Sequence, residues 1–125
     1  MTPTTIPILR SFDEAKMREF YVDFLGFEVV WEHRFDPDLP LYCEVRRAGC
    51  VLHLSEHHGD ATPGARVRIL DGDVDAYQAE LIAKRYKNNR PGMCDQPYGT
   101  REMQVNDPFG NGLVFYRFSD GRSSA

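Results

Sequence analysis

The residues after Gly26 alternate between apolar or aromatic and polar side chains, which is the pattern of a half-buried β-strand. One face of this predicted strand carries Phe27, Val29, Trp31, His33 and Phe35. The opposite face carries Glu28, Val30, Glu32 and Arg34. The pattern therefore predicts one long strand with an aromatic face, ending at the proline-containing segment 36–40.

Apolar residues recur with helical spacing in two segments. The first carries a stripe at i, i+3, i+4 and i+7, formed by Met17, Phe20, Tyr21 and Phe24. Ser11 and Glu14 have the spacing of a capping box at its start, and Gly26 can end it in the left-handed conformation. The second helix is predicted to begin after Asp73 and to end near Arg85. Its predicted inward-facing residues are Val74, Tyr77 and Leu81.

The chain repeats itself weakly at an offset of about 61 residues. Segment 6–9 matches segment 67–70, and segment 51–54 matches segment 112–115. The two predicted helices are related by nearly the same offset. Each half is therefore predicted to run strand, helix and then three strands.

Composition favours one globular domain that does not bind nucleic acid. The 125 residues are 42% hydrophobic, and the net charge of −4 comes from interspersed charges rather than from basic blocks. Cys43, Cys50 and Cys94 are odd in number and lack C-x-x-C spacing, which argues against disulfides and a zinc knuckle. We therefore expect a cytoplasmic protein, with neither a signal peptide nor a membrane-spanning segment.

Motifs at both ends of the chain carry a family resemblance. The run Asp95-Gln96-Pro97-Tyr98-Gly99-Thr100-Arg101-Glu102 precedes the turn Asp107-Pro108-Phe109-Gly110-Asn111 and an apolar strand over 113–118. Near the N-terminus stand Ile6-Pro7-Ile8-Leu9-Arg10, Glu19-Phe20-Tyr21 and Leu25-Gly26-Phe27. Together, over about residues 6–118, they resemble the bleomycin-resistance proteins of the glyoxalase/bleomycin-resistance/dioxygenase (vicinal oxygen chelate) superfamily.

This resemblance implies an α+β fold of two paired βαβββ modules, each sheet curling around a cavity with its helix on the convex side. The expected boundaries are one domain over 1–118, with modules over about 5–56 and 65–118, a linker over 57–64 and a flexible tail over 119–125. The resemblance also implies a homodimer whose ligand grooves lie between the two subunits.

The resemblance further indicates where a metal would bind. Metal-dependent members carry His, Gln or Glu on the first and last strand of each module, positions that here hold Ile6, His53, Arg66 and Val114. Only His53 is a usual ligand type, because Ile, Val and a permanently charged Arg offer no donor atom to a divalent ion. We therefore expect no metal and no other cofactor, and interpret His53 as a hydrogen-bonded cavity or core residue.

Two other chemistries find little support in the sequence. The cluster His53, Glu56, His57, His58 and Asp60 has a metal-like spacing, but strand alternation separates its first two members, and the others lie in a polar linker interpreted as a solvated loop. Ser55, Cys43 and Cys94 lack a nucleophile elbow or an identifiable histidine partner, so a hydrolase is not indicated.

Aromatic residues give a binding groove better support. Tyr98 stands where the bleomycin-resistance proteins carry an aromatic residue, and on a rigid Pro/Gly loop it could stack on a planar ligand or instead seal a dimer interface. Trp31, His33 and Phe35 form a second aromatic row, with core packing as the alternative interpretation.

The charged residues point to two kinds of ligand. A basic drug would be attracted by Glu32, Asp36, Asp38, Glu44 and Glu102, unless these are ordinary solvated charges. Arg66 and Arg68 alternate onto one face, with Arg46 and Arg101 expected nearby, which suits an anionic ligand. The alternative is internal pairing of these arginines with Glu44 or Glu102. The charge of the ligand is therefore left open.

The leading hypothesis, by resemblance, is non-catalytic sequestration of a bleomycin-type antibiotic or a similar planar small molecule at dimer-interface grooves. The expected ligand-binding residues are Tyr98, Trp31, His33, Phe35, Glu102, His53, Arg66 and Arg68. The alternatives are a metal-dependent lyase, isomerase or dioxygenase of the same superfamily, and a protein that binds an unrelated metabolite.

Overall fold

A computed structural model describes residues 2–122 of the chain. The first half contains strand β1 (Ile8–Arg10), helix α1 (Glu14–Met17) with a π-helical continuation (Arg18–Phe24), and strands β2 (Glu28–His33), β3 (Tyr42–Arg47) and β4 (Cys50–Ser55). The second half contains β5 (Arg66–Leu70), α2 (Val74–Ala83), β6 (Met93–Asp95), β7 (Thr100–Asn106) and β8 (Gly112–Phe118). Neither helical segment in this part of the chain is long and apolar enough to cross a membrane. The predicted flexible tail extends into 123–125, which lie outside the described residues.

The two halves form four-stranded mixed sheets of the same topology. The strand order is β1-β4-β3-β2 in one sheet and β5-β8-β7-β6 in the other. In each sheet the first strand runs parallel to the last, and the remaining neighbours are antiparallel. The prediction of an α+β fold built from two βαβββ modules is therefore confirmed.

The chain forms two compact units that do not divide at a single point. Over the described residues, the first unit comprises 2–65 together with the turn 108–111, and the second comprises the rest. Within the first unit, the side-chain amide of the fully buried Asn111 donates a hydrogen bond to the Arg10 carbonyl at 2.9 Å. The turn thus satisfies a backbone acceptor at the end of β1.

The helical segment of the first unit follows its predicted apolar stripe but begins differently. Its buried residues are Met17, Phe20, Tyr21 and Phe24, as predicted. The N-cap is Asp13 rather than Ser11, since the Asp13 side chain accepts a hydrogen bond from the Lys16 amide at 2.9 Å. The predicted capping box is therefore wrong. Gly26, with φ at +83°, follows the end of the segment in the left-handed conformation, as expected.

Helix α2 covers one face of the second sheet. Its predicted inward residues Val74, Tyr77 and Leu81 are buried. Tyr77 packs edge-on against Phe115 of β8, with ring centroids 5.1 Å apart. Because side chains alternate along a strand, this packing leaves the neighbouring positions of β7 and β8 on the face opposite the helix.

The largest departure from the predicted pattern lies in β2. Val29 pairs with Val45, but Trp31 pairs with Glu44, so the register shifts at Val30 as in a β-bulge. Val45 and Glu44 are adjacent on β3 and therefore point to opposite faces of the sheet. Their partners Val29 and Trp31 point to opposite faces as well. The prediction that this strand has one continuous aromatic face is therefore wrong. The bulge turns Trp31 away from the side that carries the buried Val45.

Candidate functional site

The side of the first sheet to which the bulge turns Trp31 carries an aromatic pocket. A cavity of about 400 Å³ is lined there by Trp31, His33, Phe35, Tyr42, His57 and Asp60. The rings of Trp31 and Tyr42 stack, with centroids 5.8 Å apart and planes inclined by 9°. Phe35 lies beyond the end of β2 and is 77% exposed. The aromatic pocket thus keeps a large apolar side chain in solvent, where a ligand could cover it.

A chain of hydrogen bonds runs from the pocket into the sheet. The Tyr42 hydroxyl oxygen lies 2.7 Å from His53 Nδ1, and His53 Nε2 lies 3.0 Å from Glu44 Oε1. Arg46 donates to the other carboxylate oxygen of Glu44 at 3.1 Å. Strand alternation puts Tyr42, Glu44 and Arg46 on one face of β3, and antiparallel pairing brings His53 of β4 opposite Glu44.

Glu44 is only 7% exposed, and two hydrogen-bond donors stabilise its ionised form. The hydrogen bond from His53, followed by that from Arg46, holds the pKa of the Glu44 carboxyl below its usual range against the opposing effect of burial. An ionised carboxylate accepts hydrogen bonds and donates none. Glu44 therefore fixes the direction of the hydrogen bond it shares with His53.

The turn after β4 places Asp60 in the aromatic pocket. The hydroxyl of Ser55, which is fully buried, donates to Asp60 Oδ2 at 2.7 Å and accepts from the His57 amide at 3.1 Å. Burial, and then the charge of Asp60, raises the pKa of Tyr42. The interpretation of segment 57–60 as a merely solvated loop missed this role. A serine at the end of a strand, before a short polar turn, was the available signal.

The residues present do not fit a metal centre of the kind expected for metal-dependent members. Backbone pairing places Ile8 opposite His53 and Arg68 opposite Val114, and like Ile6 and Arg66 neither residue is a usual metal-ligand type. Both ring nitrogens of His53 are engaged in side-chain hydrogen bonds. Across residues 2–122, no three His, Cys, Asp or Glu side chains are grouped so as to hold a metal ion.

The second sheet carries an ion pair on its face opposite α2. Arg68 donates to Glu102 Oε2 at 2.7 Å, and the hydroxyls of Thr100 and Tyr98 donate to the same oxygen at 2.7 and 3.2 Å. The hydrogen bond from Arg68 is the main cause that lowers the pKa of Glu102. The Arg68 guanidinium also lies 4.3 Å from the ring centre of Tyr116. The charge of Arg68 is thus matched within the unit.

Arg66 and Arg68 share one face of β5, as predicted, but the prediction that Arg101 joins them is wrong. Arg101 alternates onto the helix-facing side of β7, where it pairs with Asp75 at 3.3 Å and Asp95 at 3.2 Å. Arg46 lies in the first unit and pairs with Glu44. The alternative interpretation, internal pairing with carboxylates, is what the structure shows for Arg46 and Arg68.

The predicted ligand-binding residues are contributed by both units. The first unit brings together Trp31, His33, Phe35 and His53. The second brings together Tyr98, Glu102, Arg66 and Arg68, with Arg66 donating to Gln104 at 3.0 Å. Tyr98 is 61% exposed on a turn closed by Gly99, whose φ is +90°. Sequence analysis did not propose Tyr42, although its alternation with Glu44 on β3 was visible.

Known proteins share this fold. A family model described as "Glyoxalase superfamily protein" matches residues 2–122. A bleomycin-binding protein, solved in complex with bleomycin, aligns with a TM-score of 0.70 and 18% identity over 93% of this chain and 98% of that chain. TnmS3, an antibiotic binding protein from Streptomyces sp. CB03234, aligns with a TM-score of 0.69 and 22% identity over 95% of this chain and 98% of that chain. A member of the glyoxalase/bleomycin resistance protein/dioxygenase superfamily from Sphaerobacter thermophilus aligns with a TM-score of 0.66 and 23% identity over 94% of this chain and 98% of that chain. No curated protein sequence matches the chain.

Proposed function

The chain belongs to the glyoxalase superfamily, and on that premise we propose that it binds a planar aromatic small molecule without chemically changing it. The observation that carries this proposal is the aromatic pocket, in which the stacked Trp31 and Tyr42 and the exposed Phe35 border a cavity of about 400 Å³. Aromatic pairs add about 0.5–1.5 kcal/mol beyond area burial. Contacts of this kind with several of the pocket's aromatic rings would together stabilise a bound planar ligand.

A bleomycin-type antibiotic is the candidate ligand that we propose first. Two proteins of similar fold are described as binding bleomycin and an antibiotic, which supports an antibiotic ligand here. Binding alone would protect a cell, because a drug held in a pocket is kept from its target. This role requires affinity and slow release rather than catalysis.

We further propose that the protein acts as a homodimer. The aromatic pocket opens to solvent at Phe35, and a second copy of the chain would cover that opening. A two-fold axis would close two equivalent sites with one interface. Sedimentation at micromolar concentration should show a dimer. A monomer that still binds ligand would reject this part of the proposal and leave the binding function in place.

The binding function can be tested through Trp31, the only tryptophan of the chain. Titration with metal-free bleomycin, copper-loaded bleomycin and 9-aminoacridine should change the fluorescence of Trp31. Phe35→Ala should weaken binding by roughly two- to tenfold, since one exposed aromatic contact is lost. Phe12→Ala is the matched control, because Phe12 is another exposed phenylalanine of the first unit that does not line the pocket.

The outcomes separate the parts of this proposal. Binding of 9-aminoacridine without bleomycin would keep the aromatic-ligand function and reject the antibiotic. Equal effects of Phe35→Ala and Phe12→Ala would place the ligand outside the aromatic pocket. Elemental analysis showing about one transition metal per chain, lost in His53→Ala, would instead favour a metal-dependent enzyme.

A further inference from the structure

With His53 in its neutral form, the hydrogen-bond chain beside the aromatic pocket has one direction. Glu44 can only accept, so the proton between Glu44 and His53 lies on Nε2 of the imidazole. In a neutral imidazole the other nitrogen, Nδ1, is then an acceptor, and it takes the hydroxyl proton of Tyr42 at 2.7 Å. The hydroxyl hydrogen of Tyr42, its only side-chain donor, is thus used in the hydrogen bond to His53. Towards the pocket, its oxygen can therefore only accept.

Asp60 adds a second acceptor and a negative charge to the same cavity. The buried Ser55 hydroxyl holds one of its oxygens at 2.7 Å. A carboxylate has about four lone-pair sites, so this single bond leaves further acceptor capacity. The charge of Asp60 reaches the Tyr42 hydroxyl, whose pKa it helps to raise. Both acceptors thus act on the same region of the pocket.

The described residues that line the pocket include no arginine or lysine, and Arg34, which lies between two lining residues in the sequence, pairs with Glu14. Arg46 is paired with Glu44 at 3.1 Å. Arg10 donates to the carbonyl of His57 but is not among the lining residues. The remaining lining groups are aromatic rings and the imidazoles of His33 and His57. Aromatic faces attract cations, most strongly when solvent is excluded.

On the premise of the aromatic-ligand function above, we propose that the pocket selects planar organic cations that carry a hydrogen-bond donor. Asp60 selects the charge, and the oxygen of Tyr42 receives the donor. His53 and Glu44 are positioning residues, because they act only by orienting the Tyr42 hydroxyl. Protonated amino-heteroaromatic and amidinium compounds match this description, whereas planar carboxylates of the same size do not.

Three planar tricyclic probes of similar size test this selectivity by calorimetric titration at pH 7.5. 9-Aminoacridine is a cation with N–H donors, 10-methylacridinium is a cation without them, and 9-anthracenecarboxylate is an anion. We expect 9-aminoacridine to bind about two- to tenfold more tightly than 10-methylacridinium, the value of one hydrogen bond. The anion should bind at least roughly tenfold more weakly than 9-aminoacridine.

Two variants assign the selectivity to residues. Asp60→Asn should reduce the preference for cations over the anion to within about twofold. Asp73→Asn is the matched control, since it removes the same charge from an exposed residue that does not line the pocket and makes no side-chain capping hydrogen bond, and should leave that preference unchanged. Tyr42→Phe should abolish the difference between the two cations. Circular dichroism of each variant checks that it folds.

Each result has a distinct meaning. If none of the three probes binds, the aromatic-ligand function itself is wrong. If the anion binds as tightly as 9-aminoacridine, binding stands and the selectivity is wrong. If the difference between the two cations survives Tyr42→Phe, the donor is received elsewhere. If Asp60→Asn leaves the preference for cations intact, Asp60 does not select charge.

Discussion

The two sheets have one topology and bury one carboxylate each on comparable faces, yet they satisfy that carboxylate differently. In the first unit Glu44 shares a hydrogen bond with the imidazole of His53, which in turn engages Tyr42. In the second unit Glu102 accepts hydrogen bonds directly from the guanidinium of Arg68 and from two hydroxyls. The first arrangement leads to an aromatic cavity, and the second forms a closed ion pair with its neighbours.

This difference shows which part of the repeat is constrained. The backbone pairing and the helix-facing core determine the fold, and both units keep them. The faces that bear Glu44 and Glu102 tolerate unlike chemistry, because a buried carboxylate needs only enough donors, whatever their source. A duplicated fold can therefore keep an aromatic cavity in one unit and a self-satisfied polar cluster in the other.

The largest contrast that we predict concerns the thiols of the two units. Burial raises the pKa of Cys43 to about 11, and its side chain is fully buried in the first unit. Cys94 is exposed in the second. Because the thiolate is the reactive species, Cys43 of the native protein should react with a thiol reagent at least roughly a hundredfold more slowly than Cys94.

The two thiols can be followed separately by mass spectrometry of peptides after timed labelling with iodoacetamide. Complete denaturation should bring the two rates together, since the protection of Cys43 comes from the fold. Comparable rates in the native protein would show that the first unit opens readily.

Acidification should weaken both carboxylate sites. The pKa values of Glu44 and Glu102 are lower in the folded protein than in the unfolded chain. Their stabilising contributions are thus complete above the unfolded value of about 4.3 and are lost as the pH falls through the folded values. Urea unfolding between pH 7 and pH 3 should show a falling free energy of unfolding, with a smaller fall in Glu44→Gln and in Glu102→Gln.

The same unfolding experiment measures how much the ion pair of the second unit contributes to stability. Glu102→Gln should cost ~1 kcal/mol at pH 7, because the side chain of its partner Arg68 is 45% exposed and solvent screens the pair. In 1 M salt the loss of stability caused by Glu102→Gln should be smaller, because dissolved ions screen the ion pair. A pH profile identical to that of the native sequence in both variants would mean that other carboxylates, such as Asp75, govern acid stability.

The smallest expected effect concerns Tyr98, the exposed aromatic of the second unit. Its hydroxyl bonds Glu102 at 3.2 Å, but most of the side chain is in solvent. Tyr98→Ala should leave stability within about 0.5 kcal/mol and weaken ligand binding by about 0.5–1.5 kcal/mol if Tyr98 covers the ligand in a dimer. Unchanged affinity would confine binding to the first unit, and dissociation into monomers would make Tyr98 an interface residue.

The periodic features of the sequence predicted the order of strands and helices in each half, and the family resemblance implied how these elements assemble. The stripe Met17, Phe20, Tyr21 and Phe24 is buried, and the internal repeat corresponds to two sheets of one topology. Periodicity records which residues are apolar, and burial depends on the same property. The α+β architecture could therefore be inferred without coordinates.

The candidate site depended on features that periodicity does not contain. A single bulged residue, Val30, reverses the facing of Trp31 relative to Val29. Asp60 enters the pocket through a buried hydrogen bond with Ser55, which no hydropathy pattern reveals. Arg101 was placed on the wrong face because its pairing with Asp75 on a helix is a long-range contact. Local irregularity and distant pairing are what the sequence left undetermined.

The turn 108–111 makes the pocket-bearing unit discontinuous along the gene. A fragment ending at residue 65 would encode all the walls of the aromatic pocket but not Asn111, whose amide satisfies the carbonyl of Arg10 at the end of β1. Such a fragment would have to recruit this turn from a complementary piece of the chain. We therefore expect the segment 1–65 to be less stable as a separate fragment than within the complete chain, because the carbonyl of Arg10 loses the donor that Asn111 supplies.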